Sequence, residues 1–82
     1  MRWPKLILKG RYKIDWLDIT GAINSPLSEV KPAPCWSEGI LVKITKDYIV
    51  LASSQYKDDG SDPMGDYTCI IRGAVVKVTR LT

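Results

Sequence analysis

Two apolar runs that flank a short turn within residues 39–54 constrain the fold of this sequence more than any other feature. The first run, residues 39–44, alternates so that its even-numbered aliphatic side chains share one face of an extended strand. The second run, residues 48–52, is apolar on both faces. A strand of this kind needs cover on both sides. In a chain of 82 residues that cover must come from a short helix, the N-terminal segment or another subunit.

Three further segments have the sequence pattern of β-strands. Residues 11–19 alternate apolar and charged side chains, whereas residues 67–72 and 75–81 are apolar segments separated by Gly73. Five short strands with a tight break before the last predict a mainly β fold. We expect a single domain over residues 1–82, a small five-stranded barrel of SH3-like or Sm-like type, with an OB barrel as the nearest rival.

The segment between the first and second strands has the signals of a short helix. Ser25 can act as the N-cap and Pro26 occupies the first helical position. Pro32 and Pro34 then prevent the helix from continuing. The pattern predicts one short helix of one to two turns, or a structured loop, over residues 25–31.

The residues needed for most enzyme chemistry are missing. The chain has no histidine, so it lacks the commonest general base and the commonest zinc ligand. Cys35 and Cys69 do not form a CxxC pair and are too few for a disulfide framework. Asp15 and Asp18 are an odd number of positions apart and project to opposite faces of a regular strand. We therefore expect a protein that is not an enzyme, with no catalytic residues, no metal site and no cofactor.

An acidic segment, Asp58-Asp59-Gly60-Ser61-Asp62, follows the hairpin. Hard cations such as calcium prefer several convergent oxygen ligands, so the segment raises the possibility of a calcium loop. It lacks the regular alternation and the closing Glu of an EF-hand. We interpret it as a solvated loop between two strands.

Charge and aromatic content suggest binding surfaces. The net charge of +3 is modest, but basic residues are concentrated near the N-terminus, with Arg11 and Lys13 on one face of the first strand. They form either a solvated strand edge or a binding patch. The aromatic residues are all Trp and Tyr, which anchor interfaces or stack on bases when they are not in a core. Trp3 and Trp36, outside clear alternation, and Tyr48 in the doubly apolar run are the candidates.

A resemblance to a known family covers residues 39–78. Gly39 followed by Leu41 is similar to the start of the first motif of the Sm-like family, and Ile71-Arg72-Gly73-Ala74-Val75 looks like its second motif. The resemblance implies a barrel that assembles into rings through strands 4 and 5. It also implies that Arg72 and Gly73 contact nucleic acid.

A second resemblance covers most of the chain. The layout is similar to that of small, largely uncharacterised proteins encoded by tailed bacteriophages. The residues that carry it are Trp16-x-Asp18-Ile19, Cys35-x-Ser37-x-Gly39, the run from Asp47 to Ser54, the acidic loop and Ile71-Arg72-Gly73. It implies a protein of the cytoplasm of an infected bacterium and assigns no activity. No run in the sequence is long enough to span a membrane.

Two functional hypotheses follow. The first is a binding module that associates with itself, as a homo-oligomer, or with a host or phage protein, and that could modulate host metabolism or defence. The second is a protein that binds nucleic acid or sequesters a small nucleotide signal. It would use Arg72, Gly73 and the basic N-terminal strand.

Overall fold

The computed structural model describes residues 3–18, 21, 23–55 and 63–82. These residues form one antiparallel sheet of five strands in the order β4-β3-β2-β1-β5. The strands are β1 (Arg11–Asp18), β2 (Ala33–Ile44), β3 (Tyr48–Gln55), β4 (Gly65–Ile71) and β5 (Val75–Arg80). The prediction of a mainly β fold with five strands is confirmed. The acidic segment interpreted above as a solvated loop lies outside the described residues.

The sheet differs from the expected barrel because it is not closed. A single 3-10 turn, Arg72–Ala74, joins β4 to β5. This turn carries the chain away from β4, and β5 then pairs with the free edge of β1. As a result β4 and β5 lie at the two edges of the sheet, with no ladder between them in the described residues.

The expected helix between β1 and β2 is only a 3-10 turn, Leu27–Glu29. Pro26 takes the N-cap position and offers no side-chain oxygen to the first turn. The Ser25 hydroxyl donates to the carbonyl oxygen of Ile23 at 3.4 Å and does not cap the turn. Without a cap at its start, and with prolines close behind it, the segment does not extend beyond one turn.

The core lies on one face of the sheet, called here the inner face. Its fully buried side chains come from four of the strands and are Tyr12, Ile14, Leu41, Ile49, Leu51 and Ile70. Trp3 and Leu6 pack against this cluster from the N-terminal segment. Residues 3–10 therefore cover the inner face. The N-terminal segment was one of the three alternatives that the sequence left open, beside the short helix and another subunit.

Hydrogen bonds hold the N-terminal segment in place. The Tyr12 hydroxyl accepts from the Ile7 amide at 2.9 Å and donates to the carbonyl oxygen of Lys5 at 3.3 Å. The Lys9 amide donates to the carbonyl oxygen of Leu41 at 2.7 Å, with Lys9 in the left-handed region at φ 70°. The segment thus docks on both β1 and β2.

Two glycines allow the strands to approach closely. A Cβ atom at Gly39 would lie 2.6 Å from the carbonyl oxygen of Ala52, and one at Gly65 would collide with the carbonyl oxygen of Ser54. Both contacts are with the backbone of β3 and cannot be relieved by a side-chain rotation. Glycine is therefore required where β2 and β4 flank that strand.

The molecule is thin and elongated. Its Cα radius of gyration is 15.1 Å and its principal extents are 51 × 28 × 21 Å, whereas a compact domain of this length has a radius of about 12 Å. A single sheet covered on one face by a short segment leaves its other face in solvent. No helix in the described ranges is both long and apolar enough to cross a membrane.

Candidate binding surfaces

The outer face of the sheet divides into two halves of different chemistry. The charged half consists of outward side chains from β1, β5 and the adjoining part of β2: Arg11, Lys13, Asp15, Trp36, Glu38 and Lys77. The apolar half consists of outward side chains from β3, β4 and the end of β2: Val42, Tyr48, Val50, Tyr67, Cys69 and Ile71. The strand register determines these two sets. Successive side chains of a strand point to opposite faces, so the neighbours of the buried inner residues point outward.

Two cations of the charged half, Arg11 and Lys13, are engaged within the sheet. The Nη1 atom of Arg11 lies 3.4 Å from Oε1 of Glu38 on β2. The ammonium of Lys13 lies 5.1 Å from the centroid of the Trp36 ring, and that ring is 60% exposed. Of the residues suggested by the sequence, Arg11, Lys13 and Trp36 therefore lie together on one patch.

The apolar half contains an open groove of about 390 Å³. We call it the β3–β4 groove, and its lining residues are Val42, Lys43, Val50, Gln55, Pro63, Tyr67 and Cys69. The irregularity of register between Leu41 and Lys43 places Val42 at its rim. The Tyr67 hydroxyl donates to the carbonyl oxygen of Pro63 at 2.8 Å and accepts from Nε2 of Gln55 at 3.2 Å. These bonds order the open end of the groove.

Tyr48, the third aromatic candidate, lies next to this groove. The ammonium of Lys43 is 5.4 Å from the centroid of its ring. On β4 the neighbouring Ile71 is 60% exposed and Tyr67 is 43% exposed. The alternation of residues 67–71 places Tyr67 and Ile71 on the same face of the strand from the sequence alone, but it does not indicate that this face is the outer one.

Trp3 and Arg72 meet at a third place, the turn between β4 and β5. The guanidinium carbon of Arg72 lies 4.9 Å from the centroid of the Trp3 ring, and the Arg72 amide donates to the carbonyl oxygen of Asp47 at 2.9 Å. Its Nε atom is buried with no hydrogen-bond partner among the described residues. Gly73 borders a second groove of about 330 Å³ beside Val30. Arg72 thus helps to hold the N-terminal segment.

The two cysteines are free and lie on different strands. Cys69 is exposed in the β3–β4 groove, whereas Cys35 is half-buried and its thiol donates to the carbonyl oxygen of Trp16 at 3.6 Å. Desolvation and, after it, the negative charge of Asp18 raise the pKa of the Cys35 thiol. Over the described ranges no three Asp, Glu, Cys or His side chains cluster closely enough to hold a metal ion.

The connection between β1 and β2 contains two aliphatic side chains that the sequence pattern does not mark as binding residues. Ile23 is 88% exposed and Leu27 is 87% exposed. Neither residue follows a strand or helix periodicity, so no pattern distinguished them from ordinary loop residues.

Comparisons with protein-family models, with curated proteins and with solved structures find no match to this chain.

Proposed function

We propose that the protein is a non-enzymatic binding module that associates with further copies of itself. The proposal rests on one observation: the side chains on one side of β3 are buried in the core, whereas those on its other side face an open groove. Ile49 and Leu51 point into the core beneath the sheet, whereas Val50 points into the open β3–β4 groove. An apolar outer surface of this kind is typical of an interaction site.

The edges of the sheet support the same proposal. Unpaired edge strands are a common route to association between chains. The exposed Asp66 lies on β4, whereas the exposed Lys77 and Arg80 lie on β5, so the two edges differ in charge sign. The resemblance to the Sm-like family makes this proposal more specific. It implies that the sheet is of SH3-like or Sm-like type and that copies assemble through β4 and β5.

The mass of the protein in solution tests the proposal. We expect size-exclusion chromatography with light scattering to give a mass that rises with concentration above that of one chain. Ile71→Asp places a charge in the apolar half and should return the mass to that of a monomer. Lys13→Gln, a substitution in the charged half, is the matched control and should leave the mass unchanged. A wild-type protein that stays monomeric at its highest soluble concentration would contradict the proposal.

A second candidate function is binding of nucleic acid or of a small nucleotide. The Nε atom of Arg72, next to Gly73, is buried and has no hydrogen-bond partner in the described part of the chain. This favours the second candidate, since anions are common partners of guanidinium groups. Against it, Arg11 and Lys13 are engaged with Glu38 and Trp36 and lie in a different patch. The test is fluorescence polarisation with a labelled oligonucleotide at low salt, where phosphate contacts give an affinity that falls steeply as salt is added. Absence of binding at low salt would exclude nucleic-acid binding. Binding of a small nucleotide is tested separately, by a thermal-shift screen.

The biological setting is also a proposal. The similarity of layout to small tailed-bacteriophage proteins supports a phage-encoded protein that acts in the cytoplasm of the infected bacterium, on host metabolism or defence. The neighbours of its gene test this assignment. An early region of host-takeover genes would support it, whereas a setting among bacterial housekeeping genes would contradict it.

A further inference from the structure

The described part of the connection between β1 and β2 exposes two aliphatic side chains to solvent. We call Ile23 and Leu27 the apolar knob. Two backbone hydrogen bonds close the 3-10 turn that contains Leu27. The Glu29 amide donates to the carbonyl oxygen of Pro26 at 3.0 Å, and the Val30 amide donates to the carbonyl oxygen of Leu27 at 3.1 Å. Neither knob residue belongs to the core. Two exposed aliphatic side chains lose their contact with water when they enter an apolar depression, which is favourable.

The β3–β4 groove is such a depression, with Val42, Val50 and Tyr67 among its lining residues. The knob of the same chain cannot fill it. The knob precedes β2, which begins at Ala33, and the groove lies beside Val42 at the other end of that strand. Nine residues of extended strand separate these positions by about 30 Å. The occupant must come from another molecule.

One charged residue at each surface forms a pair of opposite sign, although Lys31 follows Glu29 at the knob. Glu29 is in the same 3-10 turn as Leu27 and carries a carboxylate beside the knob. Lys43 lines the groove, with its ammonium over the ring of Tyr48. A knob entering the groove can bring the carboxylate toward the ammonium while the aliphatic side chains enter the apolar part. This complementarity favours a second copy of the chain as the occupant.

We propose that the apolar knob of one copy inserts into the β3–β4 groove of another. The inference rests on the proposed self-association and names one contact that produces it. Because the two surfaces are different, the contact is heterologous, and repetition of it gives a ring or an open chain of subunits. A dimer with two-fold symmetry would need the same surface on both partners.

A mixing experiment tests this arrangement. The knob variant carries Ile23→Asp and Leu27→Asp, and the groove variant carries Cys69→Glu; all three substitutions are at exposed positions. Light scattering should give the mass of one chain for each variant alone. An equimolar mixture should give twice that mass, because the intact knob of the groove variant still fits the intact groove of the knob variant. Leu8→Asp, at an exposed apolar residue outside both surfaces, is the control and should retain the wild-type mass.

The outcomes separate this inference from the proposed function. A monomeric wild-type protein would overturn both. An oligomeric wild-type protein whose knob variant keeps the same mass would overturn only the knob contact, as would a mixture that stays monomeric. Circular dichroism of each variant confirms that the sheet is retained, so that a loss of mass is not a loss of fold.

Charge reversal gives a second, finer readout. Glu29→Lys alone and Lys43→Glu alone should each weaken association by about two- to fivefold, the range of an exposed ion pair. The double variant restores the opposite charges and should recover most of the wild-type affinity. If the effects of the two substitutions simply multiply, Glu29 and Lys43 do not meet in the assembly.

Discussion

The inner and outer faces of the sheet differ in how their apolar side chains are covered. On the inner face the N-terminal segment reaches the core, and the residues beneath it, such as Ile14 and Ile49, are completely buried. On the outer face no segment of the described chain performs that role. The charged half meets water through its ionic groups, whereas the apolar half presents Tyr67 and Ile71 directly to solvent. The contrast indicates that folding stability is concentrated on the inner face, and it supports the proposal that the outer face is a binding surface.

The strongest test of this contrast uses neighbouring residues of β3. Ile49→Ala removes a fully buried side chain and should lower the free energy of unfolding by about 2–5 kcal/mol. Val50→Ala removes a half-buried outer side chain and should cost about 1 kcal/mol or less in the monomer. Urea unfolding at a concentration where the protein is monomeric measures both. Equal losses would show that the two faces are equally covered.

The two thiols provide a chemical test of the same contrast. Desolvation raises the pKa of the half-buried Cys35 thiol and so lowers its thiolate fraction. Because the thiolate is the reactive form, Cys35 should be alkylated more slowly than the exposed Cys69. Its rate should continue to rise with pH above the ordinary titration range of a thiol. Iodoacetamide labelling at a concentration where the protein is monomeric, followed by peptide mass spectrometry, measures each site, with Cys69→Ser as the control that isolates Cys35. A faster reaction at Cys35 would contradict its burial.

The strands were predictable from sequence because alternation and turn residues act locally. The doubly apolar run of residues 48–52 correctly indicated a strand with two apolar faces. The open sheet was not predictable, because it depends on whether β5 pairs with β1 or with β4. The length of the helix was overestimated because Ser25 bonds to Ile23 instead of capping the turn.

The candidate surfaces were less predictable than the strands. Sequence reasoning selected Trp3 and Arg72 separately, and only the path of the N-terminal segment brings the guanidinium over the ring. It overlooked Ile23 and Leu27, because exposure of an aliphatic side chain in an irregular turn is a property of the folded chain. Local patterns thus identify which residues form strands, whereas the meeting of distant segments determines which residues remain available for binding.

The smallest expected effect lies in the charged half. Arg11 and Glu38 form an ion pair whose side chains are 48% and 40% exposed, so solvent competes for both charges. A double-mutant cycle with Arg11→Ala and Glu38→Ala should give a coupling energy below about 1 kcal/mol. The coupling should fall further when salt is raised, since the Debye length shrinks from about 10 Å at 0.1 M to about 3 Å at 1 M. A coupling of several kcal/mol that resists salt would mean that this half is also shielded from water. The charged half would then be covered as the inner face is, and the difference in cover between the two faces would disappear in this half.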